Sequence, residues 1–191
     1  MKKIFLFFFI VSVALYAKAQ LDYNSYRRGY YISNKGDTMV GYIRYLRGNR
    51  ARIEYFATGD KKAVKIYPGN CPEFVLNDTI KYIRIDGGFS VKVGIGVINV
   101  FDDFIEVLET GKVNLYVHHG ISGAANFGGT VDWDNLVVRK DSSVYIGLHP
   151  NLDKRRREIE KQLKGEDKLI EIFCREKVSE IRKGIKEYNS K

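Results

Sequence analysis

The sequence predicts an α+β fold: a curved antiparallel β-sheet or partly open barrel over residues 28–148, covered by two C-terminal helices. Runs of β-prone residues, separated by Gly, Asn and Asp, follow one another up to residue 148. At His149-Pro150 the pattern changes to apolar residues spaced three or four apart, which is typical of amphipathic helices. Because such helices must bury their apolar sides, we expect them to pack on the sheet.

The composition agrees with one globular domain. The chain has 191 residues, of which 45% are hydrophobic and 29% charged, so it is large enough for a core and is neither disordered nor fibrous. Thirteen Tyr and 11 Phe favour β structure. With 3 Pro and 2 Cys, the chain is neither a proline-rich linker nor a disulfide-dense scaffold.

The N-terminus has the three parts of a secretory signal. Lys2 and Lys3 precede an apolar run at residues 4–15, and Ala-Lys-Ala at residues 17–19 marks a cleavage site before Gln20. Because about 20 apolar residues are needed to span a bilayer, we expect cleavage rather than a membrane anchor. We therefore expect an exported protein that is periplasmic or associated with the outer envelope.

Cleavage of this signal would change the charge of the protein. Loss of residues 1–19 removes three lysines and lowers the formal net charge from +9 to +6. The C-terminal helical segment, residues 151–191, carries 13 Lys and Arg against 9 Asp and Glu, so it holds most of this excess. The β-rich domain of residues 20–150 is nearly neutral. We therefore expect no nucleic-acid partner.

The β-rich domain is predicted to contain a series of strands with recognisable turns. Strands are predicted at residues 29–33, 38–47, 52–58, 63–67, 74–76, 79–85, 91–100, 104–108, 113–117, 130–139 and 142–148. Residues 34–37 suit a hairpin turn, and the two prolines of residues 68–72 exclude a central strand there. Gly94 and Gly96 indicate a bulge or a close backbone approach in one strand, and the glycines of residues 120–130 indicate a flexible loop.

Two helices are predicted after the β-rich domain. The first covers residues 152–164, with Asn151 or Asp153 as its N-terminal cap. The second covers residues 167–188 as one amphipathic helix. Within it, Gly184 is expected to destabilise the helix by about 1 kcal/mol relative to alanine.

Histidine and acidic side chains form the candidate site. Its members are Asp102, Asp103, His118, His119, Asp132 and Asp134. Neighbours in a strand point to opposite faces, so His118 and His119 cannot bind one metal ion without a bend. The spacing matches no known zinc or calcium motif, and we expect no metal and no cofactor.

Two functions remain open on this pattern. The chain lacks a P-loop and a Gly-x-Ser-x-Gly nucleophile elbow, which favours a non-enzymatic interaction module of the cell envelope. The alternative is a secreted hydrolase that acts on an envelope polymer through the carboxylates and histidines of the candidate site.

Cys71 and Cys174 also leave two alternatives open. In an oxidising compartment they would form a disulfide that closes a long loop and stabilises the fold by about 2–4 kcal/mol. Equally, both would be free, buried thiols, since Cys71 lies among turn residues and Cys174 on an apolar helix face.

Three kinds of partner are considered from the sequence. Arg155, Arg156 and Arg157 offer a peripheral contact with an anionic membrane, although such a run is more often a solvated helix face. The strand aromatics would stack on an envelope polysaccharide or, as we favour, pack in the core; they are Tyr30, Tyr31, Tyr42, Tyr45 and Tyr55. An envelope protein is the third partner. The sequence does not indicate an oligomeric state.

Three motifs occur in a fixed order along the chain. Residues 29–43 contain Gly-Asp-Thr and Gly-Tyr-Ile, residues 104–116 read FIEVLETGKVNLY, and residues 187–189 are Glu-Tyr-Asn. In this order they resemble a group of uncharacterised secreted proteins of Gram-negative bacteria with a GDT…GYI opening, a vleGkvnLY hairpin and a terminal helix ending in Tyr-Asn. The resemblance implies envelope localisation and supplies no catalytic residue.

Overall fold

A computed structural model of the chain describes residues 25–47, 51–93, 96–123, 130–140, 145–149 and 151–191. The expected signal sequence, residues 1–19, lies outside these ranges. None of the helices within them has the length and apolarity needed to cross a membrane. The described residues form an α+β structure, as the sequence predicts.

A large antiparallel sheet dominates the structure. Its strands and those of a separate hairpin are β1 (Arg27–Ile32), β2 (Thr38–Leu46), β3 (Arg52–Phe56), β4 (Val64–Ile66), β5 (Glu73–Leu76), β6 (Ile80–Arg84), β7 (Phe89–Val93), β8 (Gly96–Val100), β9 (Phe104–Glu109), β10 (Val113–Gly123), β11 (Thr130–Lys140) and β12 (Ile146–Gly147). Ten of them pair in the order β12-β11-β10-β9-β6-β5-β1-β2-β3-β4, and the sheet is not closed into a barrel. Strands β7 and β8 form the hairpin.

Two strand predictions are wrong. Residues 91–100 are not one bulged strand, because they contain parts of two separate strands, and Val93 of β7 pairs with Gly96 of β8. Residues 120–130 are not wholly a loop, since β10 continues to Gly123, which pairs with Thr130 of β11. The long β10–β11 pairing overrides the low β-propensity of the glycines at the end of β10.

Three helices follow the sheet: α1 (Leu152–Gln162), α2 (Asp167–Phe173) and α3 (Val178–Asn189). Asn151 caps α1, because its Oδ1 accepts the Lys154 N–H at 3.0 Å. The prediction of a single helix over residues 167–188 is wrong. The Arg155 guanidinium donates hydrogen bonds to the main-chain carbonyls of Phe173 and Arg175. In a continuous helix these carbonyls would accept hydrogen bonds from the N–H groups of the following turn.

The helices cover one face of the sheet at its β10–β12 end, and we call this side the helix face. Here β10 to β12 and the helices form one apolar cluster that includes Leu115, Val138, Ile146, Ile159, Phe173, Ile181 and Ile185. At the β1–β6 end, the helix face carries a second cluster around Phe74, Tyr82 and Phe104.

The β7–β8 hairpin covers the other side of the sheet, which we call the hairpin face. Tyr116 and Val137 lie there because successive strand residues alternate between faces. They pack with Phe89 and Val100 of the hairpin. At its β9–β12 end the sheet is therefore covered on both sides, by different elements.

Candidate functional site

Strand β10 places the two adjacent histidines on opposite faces of the sheet. His118 lies opposite Asn135 of β11 and contacts Phe89 of the hairpin, with ring centroids 5.4 Å apart. His119 lies opposite Asp134, on the helix face. The two imidazoles therefore belong to separate groups, as the strand geometry predicts.

His118 belongs to a buried group centred on Asp103. Its Nε2 lies 2.9 Å from Asp103 Oδ2, and the two residues are only 2% and 7% exposed. The other oxygen, Oδ1, accepts the Tyr45 hydroxyl at 2.8 Å and the Phe104 N–H at 2.7 Å. Burial, and then the Asp103 charge, hold the Tyr45 pKa well above its usual value. The phenol therefore stays a hydrogen-bond donor, and Asp103 links β2, β9 and β10.

His119 lies between two carboxylates. Its Nε2 is 2.8 Å from Glu106 Oε2, and its Nδ1 is 2.6 Å from Asp134 Oδ1. Because a carboxylate can only accept at neutral pH, both ring nitrogens donate and the imidazole carries a proton on each. Burial opposes this charge, but the two hydrogen bonds outweigh it and raise the His119 pKa. In return, the bond from His119 lowers the Glu106 pKa.

The His119 imidazole is not placed to ligate a metal ion in this arrangement. His119 has no free lone pair, since both nitrogens donate. In the parts of the chain that the structure describes, no group of His, Cys, Asp and Glu side chains is arranged to hold a metal ion. Both histidine groups connect β10 to neighbouring segments through side-chain hydrogen bonds.

The structure brings together four of the six residues predicted from the sequence, in two separate pairs: Asp103 with His118, and Asp134 with His119. Asp102 is exposed in the turn before β9, at a φ of 50°. Asp132 lies in β11 opposite Ile121, and its side chain is outside the described part of the structure.

Sequence reasoning missed Glu106, Tyr45 and Tyr82. The Tyr82 hydroxyl donates to Glu106 Oε2 at 3.4 Å. Glu106 lies opposite Val117 of β10. Val117 precedes His119 by two residues and so shares its face of the sheet, which places Glu106 on that face as well. The sequence offered one signal for the Glu106–His119 contact, the β9–β10 hairpin, because the register of this hairpin decides which carboxylate faces which histidine.

Cys71 and Cys174 are both free thiols in the structure. Cys71 is buried, its Sγ is 3.2 Å from the Glu73 carbonyl oxygen, and burial raises its pKa to about 12. Cys174 is half-buried at the end of α2. A thiol with so high a pKa is a poor nucleophile at neutral pH, so Cys71 acts as a packing residue.

The basic cluster on α1 does not form a single surface. Arg155 is 7% exposed and donates to the carbonyls of His149, Phe173 and Arg175, at 2.7, 3.2 and 3.0 Å. The expectation that Arg155 contacts a membrane is therefore wrong, because its guanidinium is used inside the fold. Arg156 and Arg157 are exposed.

Most of the strand tyrosines that were candidates for sugar stacking lie in the core. Tyr55 is buried, and Tyr31 and Tyr45 pack against the same apolar cluster. Tyr30 is half-buried on β1. Tyr42 is 37% exposed and stacks on Phe56, with ring centroids 5.1 Å apart.

A cleft of about 600 Å³ lies where the β7–β8 hairpin, β12 and α1 meet. Asn135 lies within it and is 8% exposed, and nothing in the described residues hydrogen-bonds its side-chain amide. Phe101, 65% exposed, stands at the rim. Its ring lies over Gly88, where a Cβ would be 2.4 Å from Phe101 Cδ1. The sequence gives no local signal for this cleft, because it forms between elements distant in the chain.

Comparison of this chain with protein-family models, with curated proteins and with solved structures gave no match. The resemblance to secreted proteins of Gram-negative bacteria therefore stays a prediction.

Proposed function

We propose that this chain is an exported, non-enzymatic binding module of the cell envelope. The single observation that carries the proposal is the contrast between its two kinds of polar site. The His119 imidazole is hydrogen-bonded through both ring nitrogens, whereas the Asn135 side chain lines the cleft and hydrogen-bonds no described residue. A cleft with a few placed polar groups among apolar ones is typical of ligand binding.

Export and envelope association rest on the signal pattern of residues 1–19. Cell fractionation, with mass spectrometry of the mature N-terminus, tests this part. We expect a chain that begins at Gln20 in the periplasmic or envelope fraction. Full-length chain confined to the cytoplasm would contradict the proposal.

Site-specific crosslinking tests the binding function. A photo-crosslinking residue is placed at Val97, on the rim of the cleft, and a matched control at Val64 on β4, at the far end of the sheet. Their exposed fractions are nearly equal, 59% and 58%, so accessibility does not separate them. We expect an envelope component to be captured from position 97 alone.

The hydrolase alternative makes a different prediction. It requires that the purified mature protein cleave an envelope polymer and that D103N or H119Q abolish cleavage. Turnover with that mutational pattern would overturn the non-enzymatic proposal.

A further inference from the structure

We propose that the cleft binds an uncharged sugar residue, with Asn135 as its central hydrogen-bonding group and Phe101 as its stacking surface. This inference rests on the proposed binding function and names the class of ligand. The cleft volume of about 600 Å³ falls within the range of about 300–1,000 Å³ that is usual for small-molecule sites.

The buried Asn135 amide is the first argument for a polar ligand. In β11 its neighbour across the ladder is His118, so its side chain lies on the hairpin face, beside Phe89. It is 92% removed from solvent without a hydrogen bond from any described residue. Its side chain lines the cleft, where a ligand that offers both a donor and an acceptor can pair with the amide, as a sugar hydroxyl pair does.

Exposed apolar side chains at the rim are the second argument. Phe101 and Val97 are 65% and 59% exposed and both line the cleft. Gly88 has a φ of +68° and no Cβ, which leaves room for the Phe101 ring above it. Exposed apolar side chains at the rim of a cleft offer a ligand an apolar surface beside the polar groups within it. The C–H face of a pyranose ring is the apolar surface that such an aromatic ring accepts.

The charges of the cleft decide between an uncharged ligand and an ion. Glu158 and Lys161 both line it and lie three residues apart on α1, so their formal charges cancel. Gln162 adds another amide at the mouth. Neither an anion nor a cation is favoured by this lining, whereas an uncharged ligand with several hydroxyl groups finds donors and acceptors on both sides.

Isothermal titration calorimetry and ligand-detected NMR with the mature chain test the inference. The probes are glucose and N-acetylglucosamine, each as a monosaccharide and as a short oligomer, with glucuronate and glucosamine as the charged counterparts. We expect an uncharged probe to bind at least about tenfold more tightly than either charged one, a difference of about 1.4 kcal/mol. Tighter binding of the oligomer identifies a glycan chain rather than a free sugar as the source of the residue.

Two variants locate the site. N135A and F101A are each expected to weaken binding about tenfold or more, while V64A, at the far end of the sheet, leaves it unchanged. Phe101 is mostly exposed, so F101A carries the test if N135A does not fold. Lack of binding by every uncharged probe up to about 10 mM, preferred binding of glucuronate, or equal affinities of F101A and V64A would each overturn the inference.

These outcomes separate the inference from the proposed function. If Val97 crosslinks to an envelope protein and uncharged sugars do not bind, the sugar inference is wrong and the binding module stands. If an uncharged sugar polymer binds and is then cleaved, the sugar site stands and the non-enzymatic function is wrong.

Discussion

The side-chain amide of Asn189 pairs with Val113 in the way a neighbouring strand would. Its Oδ1 accepts the Val113 N–H at 3.0 Å, and its Nδ2 donates to the Val113 carbonyl at 2.8 Å. The same Nδ2 lies 3.3 Å from the Thr110 carbonyl oxygen. A Cβ at Gly111 would lie 2.4 Å from Asn189 Cγ, so the glycine leaves room for the amide. The end of α3 is thereby attached to the β9–β10 hairpin.

Loss of this attachment is expected to destabilise the fold. N189A leaves the main-chain groups of the fully buried Val113 without these two bonds, so we expect about 2–3 kcal/mol less stability. Urea denaturation measures the difference. The control is S190A, because it removes an exposed hydroxyl that donates to the Glu187 carbonyl and should change stability by less than about 0.5 kcal/mol. Equal stability of the two variants would show that the amide pairing is not needed.

For the substitution G184A, packing and helix propensity predict stability changes of opposite sign. Propensity alone makes G184A more stable by about 1 kcal/mol. In the structure Gly184 is buried against α2, and its Cβ would lie 2.8 Å from Ile172 Cγ2. Ile172 is itself in the core, so we expect overpacking to dominate and to destabilise the protein by about 1–3 kcal/mol. Chemical denaturation of G184A, with the exposed K183A as control, measures the sign, and a gain in stability would refute the packing argument.

Arg155 and Arg156 are adjacent arginines with different expected roles. R155A removes the donor to the carbonyls of Phe173 and Arg175, and we expect a loss of about 3 kcal/mol. R156A changes an exposed side chain, with an expected effect below about 0.5 kcal/mol. Thermal denaturation of both variants checks this difference. Similar small effects would mean that the guanidinium does not hold the α2–α3 turn.

The His119 group makes part of the stability depend on pH. Because the His119 pKa is raised in the folded protein, its contribution is complete below the unfolded pKa and is lost as pH rises through the folded pKa. The lowered Glu106 pKa acts in the other direction, since its contribution is lost as pH falls through the folded value. We therefore expect the group to contribute most in the weakly acidic range between these limits.

Denaturation of the wild type and H119Q at several pH values tests this dependence. Near pH 6 we expect H119Q to be less stable by about 1.5–3 kcal/mol, the usual worth of a hydrogen bond to a charged group. The difference should shrink as pH rises above the folded His119 pKa. H149Q, which changes a histidine without these carboxylates, is the control. A difference that stays constant with pH would contradict a charged His119.

The sequence was sufficient for the fold class because strand and helix periodicities are local. Alternation and turn residues place β1 to β6 within a few residues, and Asn151 is a cap by its chemistry alone. The break between α2 and α3 was not predictable, since it depends on Arg155, about 20 residues away in the chain.

The candidate site, like the fold, could be predicted from the sequence only in part. Strand alternation separates His118 from His119 correctly, because it is a property of one strand. The assignment of Glu106 to His119 requires the β9–β10 register, and a shift of one residue would bring Ile105 or Val107 to that place instead. The cleft around Asn135 requires three elements to meet, so no single stretch of sequence indicates it.

The short outer strands limit self-association of the ten-stranded sheet. Its two borders are β4, with three residues, and β12, with two. A border strand of three residues offers a second chain few backbone hydrogen bonds. The β4 border of the described sheet therefore offers no long template for fibril growth.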